Sequence, residues 1–155
     1  MLRGVKLIIY DFDGVMTDNR ALLMDDGREA VFIHRGDGLA VAGIKEMGIV
    51  QIILSKETNP VVTVRARKLG IPVQQAVDDK KSAVALILKE HNLDRRDVIY
   101  IGNDLNDEAA MLSVGWPMAP ADACEPIRKI SKVVFAAKGG EGVVRELWDL
   151  LRTKS

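Results

Sequence analysis

The chain has 155 residues, the size of one ordinary domain with its own hydrophobic core, so we expect a single domain over 1–155. Its 22 basic and 22 acidic side chains give a formal net charge of +0, which excludes the basic field of a nucleic-acid-binding protein. A single cysteine excludes an internal disulfide, and the first apolar run is too short for a membrane span. We therefore expect a cytoplasmic protein with no nucleic-acid or membrane partner.

Short apolar runs alternate with longer amphipathic stretches. The predicted strands are residues 5–10, 48–54, 71–76, 97–102 and 132–137. Apolar positions three and four residues apart predict helices at 37–47, 58–69, 80–91, 105–113 and 141–152. Because helical crossovers between parallel strands are right-handed, this order predicts a doubly wound, three-layer Rossmann-like α/β sandwich.

One segment departs from this alternation. Residues 20–34 have the pattern of two short strands around Asp25-Asp26-Gly27, and an Asp-Gly pair favours a tight turn between antiparallel strands. The sequence therefore predicts a β-hairpin flap soon after the first strand.

Two carboxylates, Asp11 and Asp13, follow the first predicted strand at the point where its apolar run ends. Ligands of open α/β sheets bind at the carboxyl ends of the strands, so a pair of acids there predicts a site. Two carboxylates at close range repel each other unless a cation lies between them or one of them is protonated.

Polar residues also follow the other predicted strands. Ser55 follows the second strand and Lys80 opens the helix after the third. Carboxylate and amide oxygens suit Mg²⁺, which commonly takes a phosphate oxygen as a further ligand, while a lysine and a hydroxyl suit that phosphate. The loop after the fourth strand supplies Asn103, Asp104 and Asp107.

In this order, the motifs resemble those of the haloacid dehalogenase (HAD) superfamily of phosphatases. The resemblance implies that Asp11 is the nucleophile, which forms an aspartyl-phosphate, and that Asp13 is the general acid and then the base. Ser55 and Lys80 would hold the phosphoryl group. The implied Mg²⁺ ligands are Asp11, the carbonyl of Asp13, and one or more of Asn103, Asp104 and Asp107.

The spacing of the motifs indicates the branch of the superfamily. Between Asp13 and Ser55 lie 41 residues, and between Ser55 and Lys80 lie 24. Neither gap can house the separate cap domain with which many members exclude water, so we expect no cap domain. Because excluding water strengthens electrostatic interactions, the expected lid is the flap of a neighbouring subunit.

Finer motifs are similar to one cap-less group. DFDGVMTD and HRGDGLAV look like 3-deoxy-D-manno-octulosonate (KDO) 8-phosphate phosphatases, whereas the run after Ser55 looks more like 2-keto-3-deoxy-nononate (KDN) 9-phosphate phosphatases. In the nononate enzymes a Glu, an Arg and a Lys contact the sugar acid, and these match Glu57, Arg65 and Lys68. The resemblance implies a homotetramer and a phosphorylated 2-keto-3-deoxy sugar acid as substrate, with the nononate type slightly preferred.

Other interpretations stay open at this point. These phosphatases usually carry Asp where this chain has Asn103, which leaves open a non-catalytic tetramerisation module like the phosphatase-like domain of acylneuraminate cytidylyltransferases. A phosphoacceptor receiver domain has a similar acidic pocket, but its Asp follows the third strand, where none stands alone here. Glu57, Arg65 and Lys68 are equally compatible with a solvated helix face.

Overall fold

The computed structural model describes residues 2 and 4–153. Its strands are β1 (Leu7–Tyr10), β2 (Thr17–Leu23), β3 (Glu29–Ile33), β4 (Val50–Leu54), β5 (Val73–Gln74), β6 (Val98–Ile101), β7 (Trp116–Ala119) and β8 (Val133–Val134). Six of them form a parallel sheet in the order β5-β4-β1-β6-β7-β8. The strand order runs outward on both sides of β1, which confirms the doubly wound arrangement.

Among the described residues, six α-helices connect or follow the strands. They are α1 (Arg35–Glu46), α2 (Val61–Leu69), α3 (Lys80–Glu90), α4 (Glu108–Leu112), α5 (Glu125–Ile130) and α6 (Val143–Thr153). Of these, α4 is shorter than predicted because Leu105–Asp107 forms a 3₁₀ turn before it. Within residues 2 and 4–153, none of the helices has the length and hydropathy needed to cross a bilayer.

Two elements were missed in the sequence, β7 and α5. Pro117 lies inside β7, and a proline within a short run argues against a strand because it cannot donate a ladder hydrogen bond. In the structure, β7 still pairs on both sides, with β6 and with the two-residue edge strand β8. Tertiary pairing therefore overrides the local signal at this position.

The hydrophobic core lies in two layers, one on each face of β1. Ile8 and Tyr10 belong to the layer that includes α1 and α6, whereas Leu7 and Ile9 belong to the layer that includes α3 and α4. Because side chains alternate along a strand, a strand that is covered on both faces has a continuous apolar sequence. This explains the unbroken apolar run before Asp11 and confirms the three-layer sandwich.

The predicted flap is an antiparallel hairpin of β2 and β3 that stands apart from the main sheet. It begins at Thr17, three residues before the predicted start, and its register shifts between Thr17 and Ala21, where Asn19 has a φ of 64°. This irregular start bends the strand soon after the acidic motif. No separate cap domain is present among the described residues.

A buried polar cluster lies where the hairpin joins α1. The guanidinium of Arg65 on α2 donates to the carbonyl oxygen of His34 at 3.2 Å, and the backbone N–H of Arg145 on α6 donates to Asp37 Oδ1 at 3.3 Å. Burial raises the pKa of Asp37 to about 6, although the Arg145 hydrogen bond, His34 and Arg65 oppose that shift. The cluster therefore connects the end of the hairpin with α1, α2 and α6. Its carboxylate, that of Asp37, is unfavourable to ionise because it is buried.

We expect Asp37 to make stability fall as pH rises from about 4 to about 6. The folded protein retains the Asp37 proton up to about pH 6, whereas the unfolded chain releases it near 3.8, so folding takes up a proton in this window. Urea unfolding at pH 4, 6 and 8 is the measurement. Between pH 4 and pH 8, the free energy of unfolding of Asp37→Asn should rise by about 2 kcal/mol relative to that of the unchanged protein.

Asp149→Asn is a control of opposite sign. The pKa of Asp149 is lowered, chiefly by its hydrogen bond with Arg152, so its contribution to stability is lost as pH falls. Equal pH slopes for the Asp37→Asn variant and the unchanged protein would show that the Asp37 proton does not contribute.

Candidate active site

The sheet brings the predicted site residues to one edge. Asp11 follows β1 and Ser55 follows β4, while Asn103 lies two residues beyond the end of β6, and these three strands are parallel neighbours. A cavity of about 360 Å³ opens between the loops at this edge. It is lined by Asp11, Asp13, Asn19, Ser55, Lys56, Glu57, Thr58, Asn103, Asp104 and Asn106.

Lys80 lies beneath this cavity, between two carboxylates. Its Nζ is 2.7 Å from Asp11 Oδ1 and 2.7 Å from Asp107 Oδ1, and its side chain is only 1% exposed. Burial alone lowers the pKa of Lys80, but the two carboxylates outweigh it and raise that pKa. Lys80 is therefore a charged group that fixes the position of Asp11.

Burial raises the pKa of Asp11 to about 7, and the nearby Asp107 carboxylate adds to the shift while Lys80 opposes it. With both carboxylates ionised, the triad of Asp11, Asp107 and Lys80 carries one net negative charge. A cation above Asp11 would favour its ionised form, because an opposite charge within a few ångström lowers a carboxyl pKa.

Asp107 connects the loop after β6 to this triad. Its Oδ1 accepts from Lys80 and from the Tyr100 hydroxyl at 2.9 Å, and its Oδ2 accepts from the backbone N–H groups of Asn103 and Asp104 at 3.0 and 3.4 Å. Both carboxylate oxygens are thus already engaged. These four contacts favour a structural role for Asp107 beneath the cavity over direct contact with a metal.

The Asn103 amide meets two oxygen atoms beside the cavity. Its side-chain nitrogen donates to the carbonyl oxygen of Asp13 at 3.0 Å and to Asp11 Oδ2 at 3.1 Å. A half-turn of the same amide would present its oxygen there instead, and carboxylate, carbonyl and amide oxygens are ligands that a hard cation accepts. Among residues 2 and 4–153, no three His, Cys, Asp or Glu side chains form a metal site by themselves, so a carbonyl and an amide would have to complete the donor set.

Asp13 lies at the cavity with one oxygen held and one available. The Thr17 hydroxyl donates to its Oδ1 at 3.2 Å. Burial raises the pKa of Asp13, the Thr17 hydrogen bond opposes this, and the carboxylates of Glu57 and Glu29 add to the increase. A carboxyl with a raised pKa holds a proton more readily near neutral pH, which suits a general acid.

Ser55 is buried, and its Oγ accepts from the backbone N–H of Glu57 at 3.1 Å. Its hydroxyl hydrogen remains able to donate to a bound anion in the cavity. Asn19, Lys56 and Thr58 also line the cavity, although the sequence motifs did not mark them. Their position in the sequence could have identified two of them, since Lys56 and Thr58 lie on the same loop as Ser55.

Glu57 lies at the cavity, but Arg65 and Lys68 do not. Both basic residues line a separate cleft of about 620 Å³ beside α1, and Arg65 is buried against the hairpin base. Of these three residues, the structure therefore brings only Glu57 to the cavity beside Asp11 within one chain. The prediction that Arg65 and Lys68 reach a neighbour's site stays a prediction.

Comparison with known proteins agrees with the class that the fold and the site define. Residues 46–147 match the family model of the haloacid dehalogenase-like hydrolases. The chain belongs to this hydrolase family, as its motifs predicted, and it is a phosphatase.

Individual relatives indicate the kind of phosphatase that the chain resembles. The chain is 32% identical to the KDO 8-phosphate phosphatase of Yersinia pestis, over 96% of this chain and 80% of that protein. It is 30% identical, over 92% of its own length, to N-acylneuraminate cytidylyltransferase A of Danio rerio, of which it covers 34%. The crystal structure of a Moraxella catarrhalis KDO 8-phosphate phosphatase, in complex with magnesium, phosphate and KDO, superposes with a TM-score of 0.94 at 30% identity, covering 98% of this chain and 88% of that one.

We expect the loss of the Lys80 charge to destabilise the protein strongly. Lys80→Met leaves Asp11 and Asp107 buried without their cation, which should lower the free energy of unfolding by about 3 kcal/mol at pH 8 with EDTA. The loss should be smaller at pH 5, because the pKa of Asp11 is raised to about 7 and a protonated carboxyl needs no counter-charge.

Lys81→Met is the matched control, since Lys81 is exposed on the same helical turn and should change stability by less than about 0.5 kcal/mol. Chemical unfolding measures both variants. Equal losses in the two would mean that the buried ion pairs do not stabilise the fold.

Proposed function

We propose that this phosphatase removes the terminal phosphate of a 2-keto-3-deoxy sugar acid of the KDO 8-phosphate type in a Mg²⁺-dependent reaction. The observation that supports this most is that the Asn103 amide lies 3.0 Å from the Asp13 carbonyl oxygen and 3.1 Å from Asp11 Oδ2, where Lys80 holds the other oxygen of Asp11 at 2.7 Å. Cytoplasmic localisation and a single domain over 1–155 remain predictions.

Asp11 is the proposed nucleophile. Lys80 holds one of its oxygens at 2.7 Å, so the carboxylate meets the substrate in one orientation. Attack on phosphorus forms an aspartyl-phosphate as the bond to the sugar oxygen breaks, and Asp13 donates its proton to that leaving oxygen. Asp13 then takes a proton from the water that attacks the phosphorus and releases Asp11 with inorganic phosphate.

The remaining polar groups are proposed to bind the transferring phosphoryl group. Ser55 donates its hydroxyl hydrogen, and the ammonium of Lys80 offsets negative charge near Asp11. Mg²⁺, when bound, offsets the charge of the phosphoryl oxygens. Its proposed ligands are Asp11, the Asp13 carbonyl and Asn103; Asp104 lines the cavity as a further candidate, and Asp107 supports them from below.

The relatives favour the octulosonate substrate over the nononate substrate. The name of the Yersinia relative specifies KDO 8-phosphate, and the Moraxella structure contains KDO itself. Glu57 is the proposed sugar contact in either case, because it lines the cavity beside Ser55. Relative kcat/KM values for KDO 8-phosphate and KDN 9-phosphate decide between the two.

A non-catalytic module is the competing function. The reason to consider it is the similarity of this chain to part of a cytidylyltransferase. The pre-formed contacts of Asp11 with Lys80 and the open cavity beside Asp13 and Ser55 favour catalysis, because a purely structural domain does not need buried, poorly compensated carboxylates. The receiver-domain alternative would require stable phosphorylation of Asp11 without hydrolysis.

We also propose a homotetramer in which a neighbour covers the hairpin and the cavity. Leu22, Leu23 and Phe32 on the hairpin are 64, 68 and 75% exposed, which is an unusual concentration of apolar surface beside a polar cavity. A covering subunit would bury this surface, exclude water from the site, and bring its Arg65 and Lys68 toward the substrate carboxylate.

We expect Asp11→Asn to abolish phosphate release, by at least about 10³-fold in kcat, because a neutral amide is a poor nucleophile. Phosphate release from KDO 8-phosphate with Mg²⁺ and with EDTA is the measurement, and circular dichroism checks that the variant is folded. Asp18→Asn, at a half-buried acid of the same motif that pairs with Arg20 and does not line the cavity, is the control and should keep most of the activity. Retained activity in Asp11→Asn would show that another residue is the nucleophile.

We expect Leu23→Asp to break the assembly. A charge on the hairpin surface should shift the mass in solution from about four chains toward one chain and lower kcat/KM by about tenfold or more. Leu86→Asp is the matched control, since Leu86 is 61% exposed on α3, away from the hairpin. Light scattering with chromatography measures the mass. An unchanged mass in the hairpin variant, or equal dissociation in both, would contradict this proposal.

A further inference from the structure

We infer that Asn103 substitutes for the cation when the site is empty, by turning its amide so that the NH₂ group points at Asp11 and Asp13. The inference rests on the proposed metal site, and it concerns what this chain's amide does in the absence of the metal. Asn103 is then a positioning residue with two states, one for the empty site and one for the site that holds the cation.

The two orientations of the amide satisfy different surroundings. With the nitrogen pointing inward, Asn103 donates to the Asp13 carbonyl at 3.0 Å and to Asp11 Oδ2 at 3.1 Å, both ordinary hydrogen-bond lengths. After a half-turn, the inward oxygen would face only acceptors and the outward nitrogen only donors. The inward oxygen is therefore stable only with a cation among the three oxygens, and the inward nitrogen only without one.

The half-turn needs no movement of the backbone. Asn103 is held at both backbone polar atoms, because its N–H donates to Asp107 and its carbonyl accepts from Cys124 at 3.0 Å. The amide oxygen and nitrogen are nearly equal in size, and the terminal torsion of asparagine is soft. Gly14, with a φ of +80°, leaves room on the outer side, where a Cβ atom would lie 1.9 Å from the outward atom of the amide.

An aspartate at position 103 cannot behave in this way. A carboxylate has no hydrogen to donate, so without a cation it would add a third acceptor next to Asp11 Oδ2 and the Asp13 carbonyl. With a cation it would add a negative charge, which strengthens binding. The amide thus favours a stable empty site over tight metal binding.

Thermal unfolding in EDTA tests the empty state without any catalytic readout. Asn103→Asp should lower Tm by about 4 to 8 °C, and Asn103→Ala by about 2 to 4 °C, through loss of buried hydrogen bonds. Asn106→Asp and Asn106→Ala are the matched controls on the same loop, at an exposed asparagine that also lines the cavity. They should shift Tm by less than about 1 °C. Equal shifts at positions 103 and 106 would overturn the inference.

Titration with Mg²⁺ tests the turn of the amide. Calorimetry should show at least about tenfold tighter Mg²⁺ binding by Asn103→Asp than by the unchanged protein. In ¹⁵N NMR, the side-chain NH₂ signals that vanish in Asn103→Asp identify the residue. They should be protected from exchange in EDTA and should shift and lose protection when Mg²⁺ binds.

Two results separate the inference from the function on which it rests. If Mg²⁺ binds and the Asn103 amide signals stay unchanged, the amide does not turn and the inference is wrong. If the unchanged protein binds no Mg²⁺ at all, the proposed metal site itself is wrong, whatever the behaviour in EDTA.

Discussion

The site depends on one buried ammonium group, that of Lys80, placed between two carboxylates. It is 2.7 Å from an oxygen of Asp11 and 2.7 Å from an oxygen of Asp107, and it is almost fully excluded from solvent. A buried charge without partners is unstable, so each of the three side chains requires the others. This mutual requirement holds the strand-end carboxylate, the start of α3 and the loop after β6 in one arrangement.

Charge balance explains why such an arrangement suits phosphate chemistry. Two carboxylates and one ammonium leave a negative charge under the cavity, and Asp13 adds another beside it when ionised. Burial raises the pKa values of Asp11 and Asp13, which means that the ionised site is costly without a cation. A fold that carries this cost keeps its reactive groups oriented before the substrate arrives, as electrostatic catalysis requires.

The order of motifs predicted a large part of the candidate site. Asp11 and Ser55 could be expected at one edge because parallel strands end on the same side, and the structure places them around one cavity with Glu57. The roles within the loop after β6 could not be predicted in this way. Asp107 was a candidate metal ligand, but its side chain reaches beneath the loop to Lys80 and Tyr100, which depends on how the 3₁₀ turn directs it.

By itself, the sequence determined the alternation of strands and helices, the hairpin and the chain order of the acidic, hydroxyl and lysine positions, because these follow from local periodicity and from residue chemistry. Only the tertiary structure decided that β7 with its proline joins the sheet, that Arg65 is buried at the hairpin base, and that Asn103 faces Asp11 and Asp13. These outcomes depend on contacts between residues far apart in the chain, and the energy of such contacts is set by distance, burial and orientation, which no local pattern contains.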